Sequence, residues 1–322
     1  MSHTTVECEG RVFPKFADES FSAQAFVADR PAFTELELPA RNSRRQRTMP
    51  TAGLRSAIEG KELSLHYQPQ FELRGGKQCG VEALARWFLP DGGSIAPTSF
   101  VAAAERNGLI SALGAWVLQE ACATVATWHR NTEQLPILCV NVSPRQVSPA
   151  FNAVLARTLE RTGFPASRLE LEITEGILIE QPDLALECLA QWKRLGVRIA
   201  LDDFGTGYSS LSYLSRLPVD RIKIDKSLIN RMTNDVKTAA IVRAVISLGA
   251  DFGFAVLAEG VESEVQLTML NGMGCRQAQG FLFALPESAD QARAYLASSW
   301  GKRMNPHPSL AEFSATGSAH AS

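Results

Sequence analysis

Seven short apolar segments of this chain each carry a polar residue at or near their C-terminal end. That recurrence limits the folds open to the chain. The contexts are Val81-Glu82-Ala83-Leu84, Val140-Asn141-Val142, Leu171-Glu172-Ile173, Leu201-Asp202-Asp203, Ile222-Lys223-Ile224, Ala258-Glu259-Gly260 and Ala278-Gln279-Gly280. Short, nearly continuous apolar runs read as strands buried on both faces by helices, as in parallel sheets. Strands are expected at residues 63–71, 80–88, 137–142, 169–173, 197–201, 221–224, 254–258 and 276–283. Helices are expected between them. One, capped by Thr98 or Ser99, carries Glu105. The next buries Ile110, Leu113, Val117, Ala121 and Val125 on one face. Others span 149–162 and 182–195, stopped by Gly163 and Gly196, then 235–248 with Ile241, Ala244, Val245 and Leu248 on one face, 261–270 and 288–298. About eight strands alternating with helices predict an α/β protein of the TIM (β/α)8 type. An open doubly wound sheet is the other architecture with this pattern.

The chain has 322 residues, so the core is large enough to need no staples. Residues 51–300 form the expected domain. Residues 1–50, with a basic run at 41–47 and Pro31, Pro39 and Pro50 punctuating the rest, read as a flexible arm that a partner could bind, and 301–322 as a disordered tail. A net charge of −2 argues against a nucleic-acid or membrane-surface protein. The six cysteines form no C-x-x-C pair, no apolar leader starts the chain, and no run of 18 apolar residues occurs. These features predict reduced thiols, a cytoplasmic location and no membrane span.

In a barrel, side chains at the carboxyl ends of the strands share one face and form the active site. Any one such acid has an ordinary explanation as a rim salt bridge. Five carboxylates (Glu82, Glu172, Asp202, Asp203, Glu259) and one lysine at this face cannot converge without cations to neutralise them. Oxygen-only ligands point to Mg²⁺ or Mn²⁺, with Zn²⁺ less suited. Two such ions about 3.5–4 Å apart form a centre for phosphodiester cleavage. Three rival motifs fail. Asp203-Phe204-Gly205 lacks the Gly-rich and His-Arg-Asp loops of a kinase. Gly205-Thr206-Gly207 has Ser210 where a dinucleotide fingerprint needs glycine. Lys223 as a Schiff-base lysine would sit among too many acids.

Further runs narrow the reading: Tyr67-Gln68-Pro69, Glu82-Ala83-Leu84 with Arg86-Trp87, Ala104-Glu105, Asn141-Val142-Ser143, Glu172-Ile173-Thr174-Glu175, residues 202–211, Lys223-Ile224-Asp225, Glu259-Gly260-Val261-Glu262 and Gln279-Gly280-Phe281. This series resembles the EAL domain family of bacterial cyclic-di-GMP phosphodiesterases over roughly residues 52–300. The resemblance implies a modified TIM barrel whose first strand is antiparallel, a homodimer, and hydrolysis of cyclic-di-GMP to linear pGpG, which lowers a messenger of biofilm and motility signalling. It implies that Glu82, Asn141, Glu172 and Asp202 hold one Mg²⁺ or Mn²⁺, and that Asp202 bridges to a second held also by Asp203 and Glu259. Lys223 would position or deprotonate the attacking water, its pKa lowered by the cations. Glu262 and Gln279 would hold water and substrate, Gln68 and Arg86 would contact substrate, and Leu84 would pack against it. Glu175 would latch the loop 204–211 as a switch for the second metal. Ala284-Leu285-Pro286 lacks the basic residue usual before that proline, and no cyclase motif occurs. Some members of the family have lost ligands and serve as receptors or interaction modules; here every ligand position is filled.

Overall fold

The computed structural model describes residues 51–60, 62–89, 92–128, 135–177, 182–205, 214 and 217–297. The two terminal segments, and residues 206–211 of the expected switch loop, lie outside them. Strand β1 (Leu63–Glu72) returns as β2 (Gln78–Phe88), whose outer end carries the two-residue β3 (Ser94–Ile95). Six more follow: β4 (Ile137–Asn141), β5 (Leu169–Thr174), β6 (Arg198–Phe204), β7 (Arg221–Ile224), β8 (Ala255–Ala258) and β9 (Gln277–Ala278). They pair in the order β1-β9-β8-β7-β6-β5-β4-β2, and β1 pairs with β2 to close an eight-stranded barrel.

Strand β1 is antiparallel to both neighbours, and the remaining barrel pairings are parallel. The reason is local. Only residues 73–77 separate β1 from β2, and a parallel crossover needs a dozen residues or more. Gly75 and Gly76, at φ 87° and 65°, make the tight reversal. The expectation that helix separates every pair of strands therefore fails at this first connection, while the antiparallel first strand is observed.

Helices α1 (Thr51–Gly60), α2 (Pro97–Arg106), α3 (Ile110–Ala126), α4 (Pro149–Thr162), α5 (Pro182–Arg194), α6 (Lys226–Arg231), α7 (Val236–Phe252), α8 (Glu264–Gly272) and α9 (Ala289–Ala294) accompany the strands. The apolar core lies between barrel and helices, with Trp87, Phe100, Trp128 and Trp192 fully buried in it. The predicted face of α3 is buried throughout. Ser148 caps α4 by accepting from Phe151 N–H at 3.3 Å, and Gly163 ends it at φ 64°.

Three local expectations are corrected. Neither Thr98 nor Ser99 caps α2; Ala96 is the N-cap and Pro97 takes the first helical position, where its missing N–H costs nothing. Helix α7 buries Thr238, Val242, Val245, Ile246 and Gly249, while Ile241 and Ala244 face outward. The last strand is two residues long because the backbone turns at Gly280, where an added Cβ would lie 2.2 Å from the Val261 carbonyl oxygen. Among the described residues, no helix is long and apolar enough to cross a membrane.

Candidate active site

The strand alternation that buries apolar side chains outward sends Glu82, Asn141, Glu172, Asp202, Lys223, Glu259 and Gln279 inward at one end of the barrel. All are buried there. Lys223 stands at the centre: its Nζ lies 2.7 Å from Glu172 Oε2, 2.7 Å from Glu259 Oε1, 3.2 Å from Asp202 Oδ1 and 3.9 Å from Glu82 Oε2. Glu82 Oε1 accepts from Asn141 Nδ2 at 2.7 Å, and Oε2 accepts from Gln279 Nε2 at 2.6 Å. Because Asn141 gives its amide N–H to Glu82, its Oδ1 is the atom left to face a cation.

Asp203 reaches the site by a different route. Strict alternation would turn it away from Asp202. Between the pairs Leu201–Ile222 and Phe204–Ile224, β6 advances three residues and β7 two, so β6 carries one extra residue. At this bulge Asp203 adopts φ 55°, and among the described residues no other non-glycine has a positive φ. Bulges re-aim side chains, and aspartate tolerates the left-handed region better than most residues. Carboxylate oxygens of Asp202, Asp203 and Glu259 consequently lie within 4.8 Å of one another, close enough for one cation.

The electrostatics follow from burial. Burial raises the carboxyl pKa values of Glu172, Asp202 and Glu259, with Lys223 opposing it. Burial, and then the charge of Asp202, pushes Asp203 up to about 7. Burial alone would lower Lys223, but the four acids around it win and hold its pKa well above the ordinary lysine value. The expected lowering of Lys223 is thus the reverse of what the protein groups produce by themselves; it needs cations among the acids. The donor set fits them. Glu172 Oε1 and Glu259 Oε2 are buried with no hydrogen-bond partner, which is costly unless something positive meets them. All the candidate ligands are oxygen atoms, as Mg²⁺ and Mn²⁺ prefer.

The remaining predicted residues fall around this centre. Gln68 is opposite Glu82 in the β1–β2 pairing, and its Oε1 accepts from Gln279 Nε2 at 2.8 Å. Leu84 and Arg86 continue the same face of β2 beyond the barrel rim, and both are buried. Arg86 Nη1 donates to the Ala85 carbonyl at 2.9 Å, Nη2 is buried without an acceptor, and burial lowers its pKa to about 10. Glu175 is half-buried in the turn after β5. Glu262 is exposed, and the structure does not bring it into the carboxylate cluster; its backbone N–H donates to Gln266 Oε1 at 2.7 Å. Other motif residues hold the frame. Ser143 Oγ donates to Glu105 Oε1 at 2.6 Å, and Asp225 caps α6 through Ser227 N–H at 2.9 Å. A Cβ at Gly260 would lie 2.5 Å from that of Lys226.

One layer was not foreseen. Directly beneath the site lie Gln70, Cys139, Glu170 and Arg221, all inward and buried. Each stands two residues from a site residue on its strand, so the two-residue period that marked the site also marked this layer. The described cysteines are free, and burial raises the pKa of each, in keeping with inert thiols.

Comparison with known proteins then decides the family, since the EAL domain model matches residues 52–286. The chain belongs to the EAL domain family. This EAL domain is 46% identical over 247 residues to an uncharacterized signaling protein of Caulobacter vibrioides, covering 76% of this chain and 30% of that protein. It is 42% identical over 250 residues to the bifunctional diguanylate cyclase/cyclic di-GMP phosphodiesterase MucR of Pseudomonas aeruginosa, covering 76% and 36%. The chain thus spans about a third of the length of these relatives. A solved structure of the MucR phosphodiesterase with c-di-GMP superposes with a TM-score of 0.72 at 42% identity, over 74% of this chain and 98% of that one.

Proposed function

We propose that this EAL domain hydrolyses cyclic-di-GMP to linear pGpG with Mg²⁺ or Mn²⁺. The carrying observation is the buried cluster of Glu82, Glu172, Asp202 and Glu259 around Lys223, with Glu172 Oε1 and Glu259 Oε2 unpaired. It supports a complete ligand set, the feature that separates an active domain from a receptor. Glu82, Asn141, Glu172 and Asp202 would hold one ion, and Asp202, Asp203 and Glu259 the second. Bound there, the ions would supply Lewis-acid activation of water and neutralise charge at phosphorus. Lys223, fixed by Glu172 and Glu259, would orient the attacking water through its ammonium N–H groups. Arg86 Nη2, a buried donor with no acceptor, would bind an anionic or carbonyl oxygen of the dinucleotide. Leu84 would pack against it, with Gln68 and Gln279 placing their amides at its edge. Glu175 would latch the loop 204–211, and Glu262 would hold water at the rim. Candidate roles outside the domain are those of a cytoplasmic homodimer with a partner-binding N-terminal arm.

The test is incubation of the purified full chain with cyclic-di-GMP and Mg²⁺, with products resolved by chromatography. Accumulation of pGpG is expected. Tight binding of cyclic-di-GMP without pGpG would replace the enzyme with a receptor.

A further inference from the structure

Beneath the carboxylates, the barrel interior departs from the branched aliphatic filling usual in (β/α)8 barrels. Arg221 on β7 and Glu170 on β5 form a fully buried ion pair, Nη1 to Oε1 at 2.9 Å. They lie two residues before Lys223 and Glu172 on the same two strands, so the lower pair repeats the upper one. Arg198 Nε adds a contact to Glu170 Oε2 at 3.2 Å. The ordinary explanation would be charge satisfaction. It leaves unexplained where the other bonds of Arg221 lead.

Arg221 Nη1 also donates to Gln70 Oε1 at 2.8 Å. Gln70 Nε2 donates to Gln279 Oε1 at 2.9 Å. Gln279 Nε2 donates to Glu82 Oε2 at 2.6 Å and to Gln68 Oε1 at 2.8 Å, and Gln68 Nε2 ends the chain on the Ala284 carbonyl at 3.1 Å. Every link is directional. A guanidinium has donors only. It therefore obliges Gln70 to present oxygen downward and nitrogen upward, which obliges Gln279 to present oxygen to Gln70 and nitrogen to Glu82. Flipping either amide would set N–H against N–H at its lower end and oxygen against oxygen at its upper end, against the Gln279 amide oxygen for Gln70 and against the Glu82 carboxylate for Gln279. Gly80 supplies the space: a Cβ there would lie 2.4 Å from Gln70 Oε1.

We infer that Arg221 and Gln70 are positioning residues that fix the amide orientation of Gln279 and so hold Glu82 in its metal-ligating geometry. This rests on the proposed metal-dependent activity. Hydrogen-bond partners behind metal ligands are worth about 10–100-fold in affinity or turnover when lost.

Three variants test it. Gln70→Glu still accepts from Arg221 but offers Gln279 an oxygen, so the Gln279 amide must flip. Gln70→Leu removes the link without forcing the flip. Glu170→Leu/Arg221→Met removes the ion pair as a whole, a change folds often tolerate. Mn²⁺ affinity is read by calorimetry, the Gln279 side-chain amide by selectively labelled NMR without metal, and folding by circular dichroism. Gln70→Glu is expected to weaken Mn²⁺ binding and kcat at least about tenfold, with the Gln279 amide signal displaced; Gln70→Leu should do less. Folded variants with native Mn²⁺ affinity and a native Gln279 amide signal would overturn the inference and leave the layer merely structural. Should the double variant fail to fold, the two Gln70 variants decide alone. Failure of the native chain to cleave cyclic-di-GMP would reject the activity, while the Gln279 amide signal would still decide the positioning.

Discussion

Asp203 occupies a backbone conformation that most residues avoid, and its place at the site depends on it. Its carboxyl is raised to about 7 from the ordinary 3.8 by burial and by Asp202. A raised folded-state pKa favours folding below the unfolded value and loses that contribution as pH rises toward the folded value. In chelator, the melting temperature of the native chain should therefore fall between about pH 4 and pH 7. Lys223 stays protonated across that window and adds no slope. Asp203→Asn keeps a side chain that tolerates φ 55° and should flatten the decline; an unchanged slope in a thermal-melt series would refute the assignment. Lys223 permits the opposite test. Lys223→Met leaves four buried acids without their cation, which costs roughly 3–5 kcal/mol when one partner of a buried charge set is removed. Lower stability at pH 8 in chelator, with partial recovery in Mg²⁺, is the expected result by calorimetry.

At the scale of elements, the sequence motifs marked the right strands but not their shapes. The adjacent acids of β6 are legible among the five carboxylates at the strand ends, yet nothing local says that the strand continues through them with a bulge. The extra residue exists only relative to β7. The face of α7 was misassigned because apolar residues occur nearly all round it, and contact with the barrel selects Val242, Val245 and Ile246 over Ile241. The closing strand was overestimated because the backbone of Val261 crowds Gly280. Gly280→Ala should accordingly shift β9 and Gln279, costing on the order of 1–3 kcal/mol as overpacking does. Urea unfolding measures the loss, and a native midpoint would show that the crowding is not felt.

For the whole molecule, the barrel acts as a closed frame that gathers distant acids at one end, so ligand binding and stability are linked. Each Mg²⁺ site held at about 100 times its dissociation constant should stabilise the fold by about 2.7 kcal/mol, a rise of roughly 5–10 °C in melting temperature per ion over the chelated protein. A melting temperature indifferent to Mg²⁺ would count against the ligand set. From the order of residues alone came the alternation of strand and helix, the inward residue at each strand end, and the family that their series resembles, because these are properties of period and spacing along one chain. Closure of the barrel decided the rest. Arg221 meets Gln70 across 151 positions and Gln279 meets Gln68 across 211; such pairs have no local signature. Only when strands from both ends of the domain share one interior does the direction of a hydrogen bond at its floor reach the carboxylates at its mouth.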